Sequence, residues 1–441
     1  MLTNALHKVR AALVLCLLFC ALVIPTIFIK IHSTPGAHGQ YHHHLPAIKQ
    51  FAAQWPNFDL IHYSSATTPG YHLALAFVHR FVSDNMIILQ LVSAGFGLAL
   101  LLVLSYFAAR YIDAWTTLAM ITPLLFSNYL LGCSIWLNTE NAAFALVFLC
   151  LGLAAMSSPT GASVILNGIL AAPAVFVRQI NIFLLAPIVV GGLWQKCEDG
   201  KSRLVFTFRS ILPVVVSIAI PAILLIYFIL LWGGLSPDNV YRARHSAGAN
   251  PAFITLTLAL FGAFGLFYAG AFIDQVKRLK ISDRSAWIIS LICLSTSVLW
   301  PTTHAHLVGR YGGVIWEIVK RAPCVFERSL VFPVLTVLGG LVLLLLWRAC
   351  RANNMSREAG ILYIGFFSWL ITQTVNSMAY QRYAEYVVVP LLLWLSALAL
   401  ANRPTRNLWM IRIGPIILGI LQLALTIFQI YMRVFLREFM L

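Results

Sequence analysis

Apolar runs of about twenty residues alternate with short polar connections along nearly the whole chain. After the first, at 11–29, they fall at about 86–108, 114–132, 141–157, 163–177, 181–195, 211–233, 253–273, 286–303, 329–347, 358–378, 387–402 and 410–432. Most approach the ~20 residues a helix needs to cross ~30 Å of hydrocarbon. The two runs flanking Arg178 are shorter, which suits tilted, re-entrant or broken helices. The predicted fold class is therefore all-α, a polytopic transmembrane bundle of about 11–13 spans forming one domain over 1–441. The run at 11–29 follows Lys8 and Arg10 and lacks a small-x-small cleavage site, so it reads as a retained signal-anchor.

The polar segment 32–85 breaks this pattern. Leu45, Ile48, Phe51, Ala52 and Trp55 recur at helical spacing, which predicts an amphipathic helix lying at the membrane interface. Pro69-Gly70 interrupts the chain, and Tyr71 to Val82 predicts a second interfacial helix. Two such helices could hold the head group of a lipid-linked substrate.

Composition agrees with the pattern. Of 441 residues, 60% are hydrophobic and 10% charged, against about 45–50% and about 25% in soluble domains. A water-soluble enzyme, a disordered chain and a fibre are excluded. The formal charge of +16 would suggest nucleic acid in a soluble protein, but no basic run lies between aromatics in a polar segment. Cations that hold loops in the cytoplasm explain it better. With the N-terminus inside, the inside connections hold Lys8/Arg10, Arg110, Lys196/Lys201/Arg203/Arg209, Lys277/Arg278/Lys280/Arg284, Arg348/Arg351/Arg357 and Arg403/Arg406, 16 of the 30 cations. The outside loops, 32–85, 234–252, 304–328 and 379–386, hold or adjoin eleven of the twelve histidines. The eight cysteines are scattered without a C-x-x-C pair and read as small hydrophobes.

Chemistry is thus expected at the outside face. His42, His43 and His44 are consecutive, which is poor spacing for metal ligands. They suit a general base or phosphate partner, or a wet surface. Glu140 opens a helix at its outer end, either as a favourable dipole partner or as a working carboxylate. Arg178, Arg310 and Arg382 gather on one face and suit phosphate binding, with an internal ion pair to Glu140 or Glu385 as the alternative.

Six stretches together resemble a known family, the dolichyl-phosphate-glucose-dependent α-1,2-glucosyltransferases of the GT-C type. His44-x-Pro46 resembles the end of that family's D-E-x-F-H-x-P, and Thr67-Thr68-Pro69-Gly70-Tyr71 its T-T-x-P-G-x-Y. Asn138-Thr139-Glu140 resembles Y-T-D, and Val177-Arg178-Gln179-Ile180-Asn181-Ile182 resembles L-R-Q-T-N-I. His304-Ala305-His306-Leu307-Val308-Gly309-Arg310-Tyr311, with Trp316 and Lys320-Arg321, resembles H-P-x-L-L-A-D-N-R-H-Y with its downstream W and R-R. Arg382-Tyr383 through Pro390 resembles an R-Y-x-x-x-P helix start. The order is the family's, over positions from about 40 to 390. The family's acidic pair, however, falls on Gln40 and Tyr41.

The resemblance implies an inverting hexosyltransferase, with glucose the expected sugar. The donor would be a polyprenyl- or dolichyl-phosphate sugar, the acceptor lipid-linked or another glycan, and the surroundings membrane lipid. The base would come from Glu140, His44, His42 or Asp59. Arg178, Arg310 and Arg382 would clamp the donor phosphate, while Gln179, Asn181, His304, His306 and Tyr383 would touch substrate. No cofactor is expected, a divalent cation being the open option. The compact chain points to a distant bacterial relative in the plasma membrane, or to the endoplasmic reticulum membrane if eukaryotic. The rival functions are a transporter or flippase of a lipid-linked or anionic solute, disfavoured by the lack of an internal repeat, and an inactive relative.

Overall fold

The computed structural model describes residues 2–29, 35–196, 202–237, 248–307, 309, 311–401 and 408–432. Helices of eight or more residues are numbered in chain order. They begin with α1 (Leu2–Ile29), α2 (Leu45–Gln54), α3 (Gly70–Phe81) and α4 (Met86–Ala108). Next come α5 (Ala114–Leu125), α6 (Asn128–Ile135), α7 (Glu140–Met156), α8 (Gly161–Val177), α9 (Leu185–Leu193) and α10 (Phe208–Trp232). The last are α11 (Ala252–Gly265), α12 (Arg284–Leu299), α13 (Val314–Arg321), α14 (Val331–Ala352), α15 (Ser356–Thr374), α16 (Gln381–Leu400) and α17 (Leu408–Thr426). Strand is confined to three two-stranded pairings of two or three residues each among the described residues.

Local chemistry sets where the helices begin. Asn85 caps α4 through Ile87 N, Asp113 caps α5 through Trp115 N and Thr116 N, and Ser127 caps α6 through Tyr129 N. Thr160 with Ser163, and Thr207 with Ser210, form reciprocal capping boxes on α8 and α10. Each side-chain oxygen satisfies an amide that hydrocarbon would otherwise leave bare.

Among the described residues, seven helices are long and apolar enough to cross a membrane. The α5–α6 pair, bent by 72° around Ser127, adds one, and four shorter apolar helices bring the total to twelve. Against the expected 11–13 spans, only seven helices, or eight with the bent pair, are long and apolar enough among the described residues; the rest are short, and Arg357 and Glu358 lower the hydropathy of α15. The all-α polytopic bundle is as expected. At its centre runs α16, whose apolar window is 100% buried, against 22% for α10 at the rim. Trp394 of α16 donates its indole N–H to Leu104 O of α4. Beside it α11 and α14 cross backbone to backbone. A Cβ on Gly339 would lie 1.9 Å from Leu258 O, and one on Gly262 2.1 Å from Leu335 O. Between apolar helices that close fit supplies the packing that solvent cannot.

Connections gather at two opposite ends. At one, Trp232 Nε1 donates to Leu60 O at 2.7 Å, Asn250 Nδ2 to Ser377 O at 2.9 Å, and Trp316 Nε1 to Ala379 O at 2.7 Å. The first loop therefore closes over the same end as the 300–330 and 375–380 connections. At the other, Arg357 of α15 donates to Ala155 O at 3.0 Å and Gly191 O at 2.9 Å, where α7 and α9 finish. Arg348–Asp283 at 2.6 Å and Arg412–Asp113 at 2.9 Å lie at that end too. Arg357 there meets the negative, carbonyl ends of α7 and α9, whereas Arg348 and Arg412 pair with the N-cap carboxylates of α12 and α5.

One expectation changes in detail. The apolar face of α2 (Ala47, Ile48, Phe51, Ala52) is buried, packed against α3 and capped by Tyr63 and Tyr71. Protein, not lipid, covers it. The outward apolar surface is instead Phe77, Phe81 and Val82, with Trp55 5.4 Å from Phe81 between ring centroids.

Candidate active site at the loop-covered end

Glu140 is the first residue of α7 and its side chain is 2% exposed. A lone carboxylate so buried would be strongly disfavoured. Two arginines answer it. Arg178 Nη1 lies 3.0 Å from Glu140 Oε1, and Arg382 Nε lies 3.7 Å from the same oxygen. Arg178 sits in the extended residue that ends α8 before the 3₁₀ turn Gln179–Leu184, and Arg382 opens α16. Three distant segments thus converge on one oxygen.

The cluster is only partly satisfied. Glu140 Oε2 and Arg382 Nε are buried and have no hydrogen-bond partner among the described residues. Side-chain exposure rises from 2% at Glu140 through 14% at Arg178 to 36% at Arg382, so the cluster opens outward along the arginines. Tyr383 floors it, with Arg178 Cζ 5.3 Å and Arg382 Cζ 4.9 Å from its ring centre and its hydroxyl 2.9 Å from Arg382 Nη2. Tyr380 flanks Arg382 at 5.3 Å. Aromatic faces hold guanidinium planes without neutralising them. With two guanidiniums and one carboxylate, the cluster carries one excess positive charge.

His44, at the end of a π-helical turn, enters from the first loop and feels the fields of Glu140, Arg382 and Arg178. Its Nδ1 is 3.0 Å from His72 Nε2, with the rings stacked 5.2 Å apart. Burial lowers the His44 imidazole to about 4, against the opposing pull of the Glu140 carboxylate. His72 is fully buried, its Nδ1 has no partner among the described residues, and burial holds it well below the ordinary histidine range. Both imidazoles are therefore neutral at pH 7, sharing one proton across their contact.

The other expected residues divide. His42 is exposed on the loop, its ring edge-on to His38 at 4.2 Å. Asp59 closes its own turn, accepting from Ile61 N at 2.9 Å and His62 N at 3.0 Å and pairing with His62 Nδ1 at 3.1 Å. The amides of His62 and Ile61 hold its carboxyl below the usual range. Gln179 spends its amide on backbone, donating to Ala66 O and Leu235 O at 2.8 Å each and accepting from Thr68 N at 3.2 Å. Asn181 donates to Ala174 O at 2.8 Å. These two amides hold loops together around Arg178. His306 packs on Tyr311, 3.9 Å between ring centroids, and edge-on to Trp316. Its two ring nitrogens are buried with no partner among the described residues, and burial lowers its pKa. Arg310 lies outside the described residues. Of His304 only the backbone, at the start of His304–Leu307, is described.

Gln40, where the family motif has an acid, is 1% exposed. Its Oε1 accepts from Leu137 N at 2.9 Å and from Gln90 Nε2 at 3.3 Å. A neutral oxygen there ties the first loop to the strand of chain that leads into Glu140. His72 is the residue that sequence reasoning missed. Its signal was its place directly after the Thr67–Tyr71 motif. Glu385, weighed as an ion-pair partner for the arginines, instead accepts from Ser127 Oγ, Gln381 Nε2 and Gln422 Nε2, joining α6, α16 and α17. Among the described residues, no group of three or more His, Cys, Asp or Glu is arranged to hold a metal ion.

No family model matches the chain, and no curated protein matches it. Among solved structures, the crystal structure of ArnT from Cupriavidus metallidurans in the apo state is similar, at 14% identity over 88% of this chain and 78% of that one. Its TM-score of 0.38 is too low for the superposition to bear on the fold family or the activity.

Proposed function

We propose that the chain is a membrane glycosyltransferase of the GT-C type that takes a hexose from a polyprenyl-phosphate donor at the loop-covered end. The observation that carries this reading is the Arg178–Glu140–Arg382 cluster, buried at one end, open at the other, and one charge positive. A sugar phosphodiester carries one negative charge and would balance it. The isoprenoid tail would lie among the apolar helices. An acceptor hydroxyl attacks the anomeric carbon, the carbon–oxygen bond to phosphate breaks, and the hydroxyl proton passes to Glu140 Oε2. The leaving polyprenyl phosphate gains a second negative charge, so arginine donors stabilise the transition state more than the ground state. One displacement inverts the anomeric centre. The motif set favours glucose as the sugar and a lipid-linked glycan as acceptor.

One observation supports a second assignment of the base. His44 enters the same end from the first loop, its Nδ1 3.0 Å from His72 Nε2, so the pair could pass a proton between them. In that case Glu140 serves as counter-ion to the arginines, and His44 with His72 receives the proton.

The test is transfer by purified protein from radiolabelled polyprenyl-phosphate glucose to a lipid-linked glycan extract. Glu140→Gln, nearly isosteric, is expected to lower kcat by roughly 10²–10⁴-fold. Arg382→Ala is expected to lower kcat/KM for the donor. His44→Asn with wild-type Glu140 separates the two bases. Full transfer by Glu140→Gln removes Glu140 as base. No transfer with labelled lipid still bound moves the weight to lipid transport.

A further inference from the structure

At the end of the bundle away from Glu140, α1, α4 and α5 splay apart around a crevice of about 530 Å³. Its walls are mainly apolar, with Leu15, Leu102 and Leu118 contributed by the three helices in turn. Lys8 and Arg110 stand at its edge. The volume lies within the ~300–1,000 Å³ of a small-molecule site.

We infer that this crevice seats an anionic glycerophospholipid, its phosphate between Lys8 and Arg110 and an acyl chain along α1, α4 and α5. The site goes beyond the proposed transferase chemistry, which lies at the opposite end. Arg110 is already oriented for the task. Its Nη1 donates to Met156 O at 3.2 Å, and its guanidinium lies 5.2 Å from the Tyr106 ring centre and 5.6 Å from that of Phe107, leaving further N–H groups for a phosphate. Lys8 is exposed. Asp113, at the start of α5, is committed to capping that helix and to Arg412, 2.9 Å away. Ser105 lines the same crevice, and its buried hydroxyl has no hydrogen-bond partner among the described residues. An ester or phosphate oxygen would satisfy it. Basic pockets between spanning helices are the usual seats of acidic lipid head groups.

Native mass spectrometry of the full chain in detergent, titrated with phosphatidylglycerol or phosphatidylcholine of identical acyl chains, tests this. Wild type should bind phosphatidylglycerol roughly five- to thirtyfold more tightly. The preference should vanish in Lys8→Ser/Arg110→Gln and shrink in Lys8→Ser alone, which leaves the Arg110–Met156 bond intact. Ala12→Phe, which fills the crevice, should weaken both lipids. Lys49→Ser/Arg80→Gln, at the other end, should leave the preference unchanged. Equal binding of the two lipids, or an undiminished preference in the double variant, overturns the inference. So does displacement of phosphatidylglycerol by polyprenyl phosphate at equimolar concentration.

Discussion

Buried charge was the most legible feature at the scale of single residues. Arg178, Glu140 and Arg382 each interrupt apolar sequence, where an unpaired ion is too costly to persist, and the fold brings all three to one oxygen. Phosphate binding and an internal ion pair were opposed as alternatives; the ion pair to Glu140 is present, and the phosphate role of the same arginines belongs to the proposed function. The amides were not legible in the same way. Gln179 and Asn181 look like substrate contacts in a motif, and only the path of the loops reveals that backbone carbonyls use them. His72 was marked only by its place after the Thr67–Tyr71 motif, because a lone histidine on an apolar helix face says nothing of its partner. Its pairing with His44 has a consequence for pH. Folding lowers the His44 pKa from 6.5 to about 4, and that of His72 in the same direction. Above pH 6.5 both are neutral folded or unfolded, and stability does not depend on them. As pH falls below 6.5 the unfolded chain takes up protons first, and stability declines down to about pH 4. The melting temperature in detergent should therefore fall across this window, and fall less in His44→Asn/His72→Asn. An identical slope in that variant would place the pH sensitivity elsewhere.

Elements were legible wherever one strong periodicity ruled. Most long apolar runs became helices, though some ends moved by six to nine residues and the run at 114–132 broke in two at Ser127, and the two helices expected in the first loop came out as Leu45–Gln54 and Gly70–Phe81. The partner of an amphipathic face was not legible, because hydrophobic spacing is the same against lipid as against α3. Nor was the crossing of α11 and α14, which depends on Gly262 and Gly339 meeting opposite one another in space. A side chain at Gly339 would press on Leu258 O, a backbone atom that cannot swing aside. Gly339→Val should therefore destabilise the bundle by about 1–3 kcal/mol, the range for overpacked cores, or more if the helices part. Gly95, on α4, meets nothing within 4 Å. Gly95→Val is the matched control and should melt close to wild type. Equal melting of the two variants would mean that α11 and α14 do not approach as closely as described.

For the whole molecule, the charge asymmetry between loops and the segregation of polar contacts into two ends are separate observations that agree. Arg348, Arg357 and Arg412 lie at the end where α7 and α9 finish, while Glu140, His44 and the first loop occupy the other. The positive-inside rule predicts the cation-rich end in the cytoplasm and the proposed active site outside. The chain carries its own reporter of this. Cys324 is exposed, in the hairpin that pairs Cys324–Val325 with Arg328–Ser329, within the 300–330 connection at the active-site end. Cys133, Cys150, Cys293 and Cys350 are buried. A membrane-impermeant maleimide added to intact cells should label wild type and label Cys324→Ser much less, since that substitution removes an exposed thiol without touching the core. If Cys324 faces the cytoplasm, the difference between wild type and Cys324→Ser will emerge only after permeabilisation. The Glu140 cluster would then open to the cytoplasm as well, because Trp316, just upstream of the hairpin, is bonded to Ala379 beside Arg382. One labelling experiment thus fixes both the orientation of the bundle and the compartment from which any acceptor must come.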